Sequence, residues 1–141
     1  MDPRDFLEFA KNTLNNKKPA SFRTAISRAY YSSYNVGSEN LSSLGFTIPK
    51  TAKGHETVRQ FLHNCGEVQL EKASTRLNNL RTIRNTSDYN MGSTRVETEI
   101  EALAAIRDAE KIISDLDQCF NGNNRESIKR SIEDYLSKTN Q

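Results

Sequence analysis

Apolar positions along this chain recur every three or four residues rather than every two, the spacing of helices that each bury one face. In MDPRDFLEFAKNTLNN the series Phe6, Phe9, Ala10, Thr13 and Leu14 marks one such face, with Asp2 as N-cap and Pro3 at the first helical position. Asn15 to Pro19 end that helix. A longer one starts at Ser21, with Phe22, Ala25, Ile26, Ala29, Ser33 and Val36 on one face and Gly45 as its stop. Within it Ala25, Ala29, Ser33 and Gly37 form a row of small residues along which a second helix can approach closely.

Residues 46–54 contain Ile48-Pro49 and read as a loop, after which HETVRQFLHNCG predicts a short helix carrying Val58, Phe61, Leu62 and Cys65. A fourth helix spans Val68 to Ser87, and NMGST separates it from a fifth over Val96 to Phe120. In the fifth the stripe starts on Val96, Ile100 and Leu103 and then rotates to Ile106, Ile113, Leu116 and Phe120, which requires a curved or locally broken helix. NGNN at 121–124 is a turn, and Ile128, Ile132, Tyr135 and Leu136 give the last segment an apolar face for docking or for a partner. The expectation is an all-α helical domain over 1–120, with a C-terminal turn and amphipathic helix over 121–141.

Composition agrees with that class. The 141 residues include three prolines and six glycines, so few breakers interrupt the helical runs. Hydrophobic residues are 35% and mean hydropathy is −0.76, polar but sufficient for a core. With 20 basic and 18 acidic side chains the net charge is +2, so any site for a polyanion must be local. Cys65 and Cys119 have neither CxxC spacing nor paired histidines beside them and read as reduced core thiols; no metal site and no cofactor is expected. No apolar run approaches the ~20 residues of a membrane span and the N-terminus carries acids, so a cytoplasmic location is expected, with no membrane partner.

The pattern breaks in RNTSDYN, residues 84–90. On a helical wheel Ala73, Leu77, Leu80 and Ile83 share a face, and Arg84 falls between Leu77 and Leu80. A buried, unpaired guanidinium costs several kcal/mol, so Arg84 requires a carboxylate, a cleft or an anionic ligand. Three readings compete: a structural ion pair with Asp88 one turn on, a cleft at a dimer interface that meets phosphate, or a reaction site of Arg84, Asp88 and Tyr89. Periodicity does not choose among them.

FLEFAKNTL, SFRTAISRAYYSSYNVGSENL, GHETVRQFL and RNTSDYN, in that order and spacing, together resemble the HEPN domains of bacteria and archaea over residues 4 to about 118. The resemblance implies an up-down helical bundle that forms a homodimer, largely through its second and fourth helices. HEPN proteins are often metal-independent ribonucleases, and several act in toxin–antitoxin or antiviral defence systems beside a small nucleotidyltransferase partner. Their motif is an arginine, a polar residue directly after it, and a histidine four to six positions on. Arg84 and Asn85 match its start; Asp88 and Tyr89 stand where the histidine belongs, as in a branch with an acidic-tyrosine ending.

That departure bears on chemistry. Metal-free cleavage of RNA requires activating a 2′-hydroxyl and protonating a leaving oxygen near neutral pH, which suits an imidazole at ~6.5 better than a phenol at ~10. Arginine can still stabilise phosphate charge. His55 at the start of the third helix reads as a capping or packing residue, and His63 as solvated. Tyr30 reads as core or interface, while Arg28 and Tyr31 either are plain helix surface or line the same groove as Arg84. The sequence thus supports a homodimeric module that binds RNA or a nucleotide through Arg84, Asn85, Arg81 and Arg28. Its rivals are an endoribonuclease using Arg84, Asp88 and Tyr89, and a structural scaffold.

Overall fold

The computed structural model describes residues 1–139, and among these it contains six α-helices and no strand. The protein is an all-α helical bundle. The helices are α1 (Asp5–Thr13), α2 (Pro19–Ser43), α3 (Lys53–His63), α4 (Val68–Tyr89), α5 (Glu99–Phe120) and α6 (Arg125–Thr139), with short 3₁₀ turns at Leu14–Asn16 and Arg95–Glu97.

α2 is the central element. It starts two residues earlier than its apolar face suggests because Pro19 takes the first turn, where its missing N–H leaves no bond unmade. It ends before Gly45, whose φ of +101° is open to glycine at little cost. Its contacts are most extensive with α5, then α1 and α4. At Gly37, the last of the small residues, a Cβ would lie 3.3 Å from Val58 Cγ1, so α3 rests against that notch.

α1 and the turn after it bury Leu7 together with Ala10 and Leu14, while Phe9, expected inward, is 55% exposed. Ala10 and Leu14 are buried as expected; of Leu7 and Phe9, the one that meets α2 and α5 is the one buried. Asp2 acts ahead of the helix, accepting the Arg4 N–H at 2.9 Å. α5 also departs from expectation. Thr98 is extended and its Oγ1 accepts the Glu101 N–H at 3.3 Å, so the helix starts at Glu99 and Val96 belongs to the preceding turn. That break leaves Val96 buried and Ile100 80% exposed instead of inward. Ala102, Ile106, Ala109, Ile113, Leu116 and Phe120 then carry the buried stripe.

α6 docks. Ile128 and Ile132 are fully buried in the same core as α1–α5, so the C-terminal segment completes the bundle rather than standing apart from it. Both cysteines are buried free thiols, and burial pushes Cys65 up to about 11. Among the described residues no helix is long and apolar enough to cross a membrane.

A network that the hydrophobic pattern does not display closes the α4–α5 connection. Arg23 on α2 is buried and donates to the carbonyls of Thr86, Ser87, Asn90, Met91 and Ser93 at 2.7–3.4 Å, and through Nε to Glu97 at 2.9 Å. The last carbonyls of a helix have no partner within it, and one guanidinium here supplies Ser87 together with three carbonyls just beyond the helix end. This fixes the end of α4, which carries RNTSDYN.

Candidate anion-binding site

Arg84 points inward, with its side chain 5% exposed. Its guanidinium carbon lies 5.1 Å from the Tyr30 ring centroid, 5.0 Å from Tyr31 and 6.0 Å from Tyr89. Ring faces attract a cation but accept little of its hydrogen-bonding capacity. Asp88 Oδ2 is 3.7 Å from Nη1, an ion-pair contact beyond hydrogen-bonding distance. Asp88 instead accepts a hydrogen bond from Ser27 Oγ at 3.2 Å. The Nε of Arg84, like that of Arg81, is buried with no hydrogen-bond partner among the described residues.

Arg84 forms part of the wall of a cleft of about 490 Å³, within the size range of small-molecule sites. Its polar lining is cationic: Lys50, Arg81 and Arg84, with the amide of Asn85. Its rings are Tyr31, Tyr34, His55 and Tyr89, and among the described residues it is lined by no carboxylate. The N-terminus of α3 opens onto it through Thr51 and Ala52, and no side chain caps that helix end. The positive end of the helix dipole adds to the field of the three cations.

His55, read from sequence as a cap or a packing residue, packs, and also lines this cleft. It stacks on Tyr34 with centroids 4.4 Å apart, and its Nδ1 meets the Tyr30 hydroxyl. Burial and then the charges of Arg81 and Arg84 push its pKa down to about 4, so it is neutral at pH 7. Burial raises the Tyr30 and Tyr34 hydroxyls, with Arg81 opposing in both. Tyr30 and His55 therefore meet as two neutral groups, beside Arg81 and Arg84, neither of which has a hydrogen-bond partner for its Nε among the described residues. Gly54 makes the arrangement possible: a Cβ there would lie 2.2 Å from the Pro49 carbonyl oxygen and 2.6 Å from the Tyr34 hydroxyl. Only a residue without a side chain lets the loop and α2 close over the start of α3.

Tyr31 and Tyr89 also border a second cleft, of about 460 Å³, with Phe6, Arg28, Asn35 and Asp88 on its other sides. Arg28 lies here rather than in the Arg84 groove. Its guanidinium carbon is 5.2 Å from the Phe6 ring and 5.1 Å from Tyr31, a position over two rings on the Asp88 side of Tyr31.

The sequence candidates thus separate. Arg81, Arg84 and Asn85 converge on one cleft; Asp88 and Arg28 face the other; Tyr89, 75% exposed, stands between them. Lys50, Tyr34 and His55 come from α2, α3 and the intervening loop, and no helical periodicity in α4 announces them. His63 is exposed, as its polar helix face implies. Arg76, on the edge of the α4 stripe, pairs at 3.5 Å with the buried carboxylate of Asp115 and takes no part in either cleft. No family model matches the chain, and no curated protein or solved structure is significantly similar to it.

Proposed function

We propose that this is a HEPN-like binding module whose Arg84 cleft holds phosphate groups of RNA or of a nucleotide. The observation that carries the proposal is a buried guanidinium with an unpartnered Nε on a cleft lined by two further cations and, among the described residues, no carboxylate. A buried charge without a hydrogen-bonding counterion is costly in the empty protein, and an anion that accepts from Arg84, Arg81 and Asn85 removes that cost. Phosphate fits because arginine donors match its oxygens in pairs and because the start of α3 turns its positive end toward the cleft. The rings of Tyr34, His55 and Tyr89 offer faces on which a base can stack.

The same proposal includes a homodimer and a small nucleotidyltransferase partner in a toxin–antitoxin or antiviral setting, both implied by the HEPN resemblance. Titration of fluorescent single-stranded RNA over a range of salt tests the core of it. Three cationic contacts give a slope of log affinity against log salt of about −2, and Arg81→Ala with Lys50→Ala leaves only the share of Arg84, about −0.7. Salt-independent binding, or affinity unchanged in that double variant, refutes the phosphate site.

His55 supports a second reading, metal-independent endoribonuclease activity. The RNTSDYN motif lacks a histidine, but His55 from α3 lines the same cleft as Arg84. In that reaction the 2′-oxygen attacks phosphorus, its proton passes to a base, and the departing 5′-oxygen takes a proton from solvent water. A neutral imidazole held at about 4 can act as base at pH 7 and is a poor acid there. Incubation of RNA with EDTA, beside Arg84→Ala and His55→Gln controls, decides it: fragments that vanish in both variants establish cleavage.

A further inference from the structure

We infer that the protein recognises two consecutive nucleotides, one in each of the adjoining clefts, with a guanine base in the cleft of Arg28 and Asp88. This rests on the phosphate-binding reading of the Arg84 cleft and extends it to a second subsite.

The two clefts lie on either side of Tyr31 and Tyr89, which border both. At about 490 and 460 Å³, each is of small-molecule size. Their chemistry differs in a way that suits two parts of one ligand. The first offers cations to phosphate. The second contains a carboxylate, which disfavours phosphate, together with the Phe6 and Tyr31 rings, between which the Arg28 guanidinium is held. Base stacking on such surfaces does not depend on backbone charge.

The polar groups of the second cleft specify the base. Ser27 Oγ donates to Asp88 Oδ2 at 3.2 Å and accepts from Arg28 Nη2 at 3.5 Å, so an acceptor pair and a donor fork are linked through one hydroxyl. Asn35 spends its Nδ2 on the Tyr31 carbonyl at 2.8 Å, which leaves its Oδ1 as an acceptor. Guanine presents two adjacent N–H donors to a carboxylate and, through O6 and N7, acceptors to a guanidinium. Uracil presents one N–H donor, so it fills this arrangement less well.

Isothermal titration of the full chain with GMP, pGpG and pUpU tests the inference. The expected result is pGpG binding at least tenfold tighter than GMP and tenfold tighter than pUpU, with Arg28→Ala reducing the pGpG-to-GMP ratio to about one. If pGpG binds no tighter than GMP, the second subsite is overturned while the phosphate site stands. If neither GMP nor pGpG binds, both proposals fall together. Equal affinity for pGpG and pUpU overturns the guanine assignment. A hexanucleotide with an internal GpG step identifies the source: tight binding points to an RNA strand, and binding confined to pGpG points to a free dinucleotide.

Discussion

Arg84 and Asp88 stand one helical turn apart on α4 with Nη1 and Oδ2 3.7 Å from each other, close enough to attract and too far to hydrogen-bond. Asp88 has its own donor in Ser27. The pair is therefore a weak account of why a guanidinium is buried here, and a separable one. Removing the Arg84 guanidinium leaves no buried charge without a partner, because Asp88 is 28% exposed and keeps its Ser27 donor. Arg84→Met is expected to leave unfolding free energy within about 1 kcal/mol of wild type or to raise it, while RNA binding is lost. Urea denaturation alongside the RNA titration checks both halves; a loss beyond about 2 kcal/mol makes the ion pair structural after all.

Arg23 has the opposite character, because every part of its guanidinium is engaged. Truncating one partner of a buried charged network leaves the others without donors, at a cost of about 3–5 kcal/mol. Arg23→Ala is expected to show that loss in chemical denaturation. Hydrogen exchange should locate it, with faster exchange in the last turn of α4 and in the α4–α5 connection.

His55 makes stability depend on pH. An unfolded imidazole takes its proton near ~6.5, whereas the folded one waits until pH falls to about 4. Between those values the unfolded state binds more protons, so this contribution is intact above the upper value, declines as pH drops through the window, and levels off below it. The stability difference between wild type and His55→Gln should shrink from pH 7 toward pH 4. Filling the cleft with phosphate places negative charge beside the ring, so the His55 resonance in an NMR titration should move at higher pH when GMP is bound. A bound-state titration at or below the free one argues against an anion beside His55.

Gly54→Ala tests the closure over α3. Its Cβ would collide with the Pro49 carbonyl, which is backbone and cannot rotate away. Overpacking of this kind costs about 1–3 kcal/mol. Displacement of the neighbouring His55 should also shift its titration toward the ordinary imidazole value, a readout that a purely local loss of stability would not move.

Helix number and most buried faces were legible in the chain because an amphipathic period repeats often enough to be read locally. In α1 the expected Ala10 and Leu14 are buried, but Leu7 rather than Phe9 completes their face, and only the neighbouring helices choose between those two. The start of α5 was written in the sequence as Thr98 followed three residues later by Glu101, a capping pattern, but Val96 and Ile100 share a continuous helical period that masks it. Arg84 was legible as a violation of its own helix pattern. Its cleft was not, since Lys50 and His55 reach it through loop and helix packing across about thirty positions of chain. Arg23 was illegible for a different reason: nearly all its partners are main-chain oxygens, which every residue type carries.

The same clamp bears on how freely the protein can be re-engineered. The segment Asn90–Ser93 is gripped by its peptide oxygens, so its side-chain identities are largely interchangeable as far as the grip is concerned. An affinity tag or spectroscopic probe could replace the Met91 side chain without unfastening the end of α4, whereas lengthening the segment by even one residue would throw its oxygens out of step with the single side chain that gathers them.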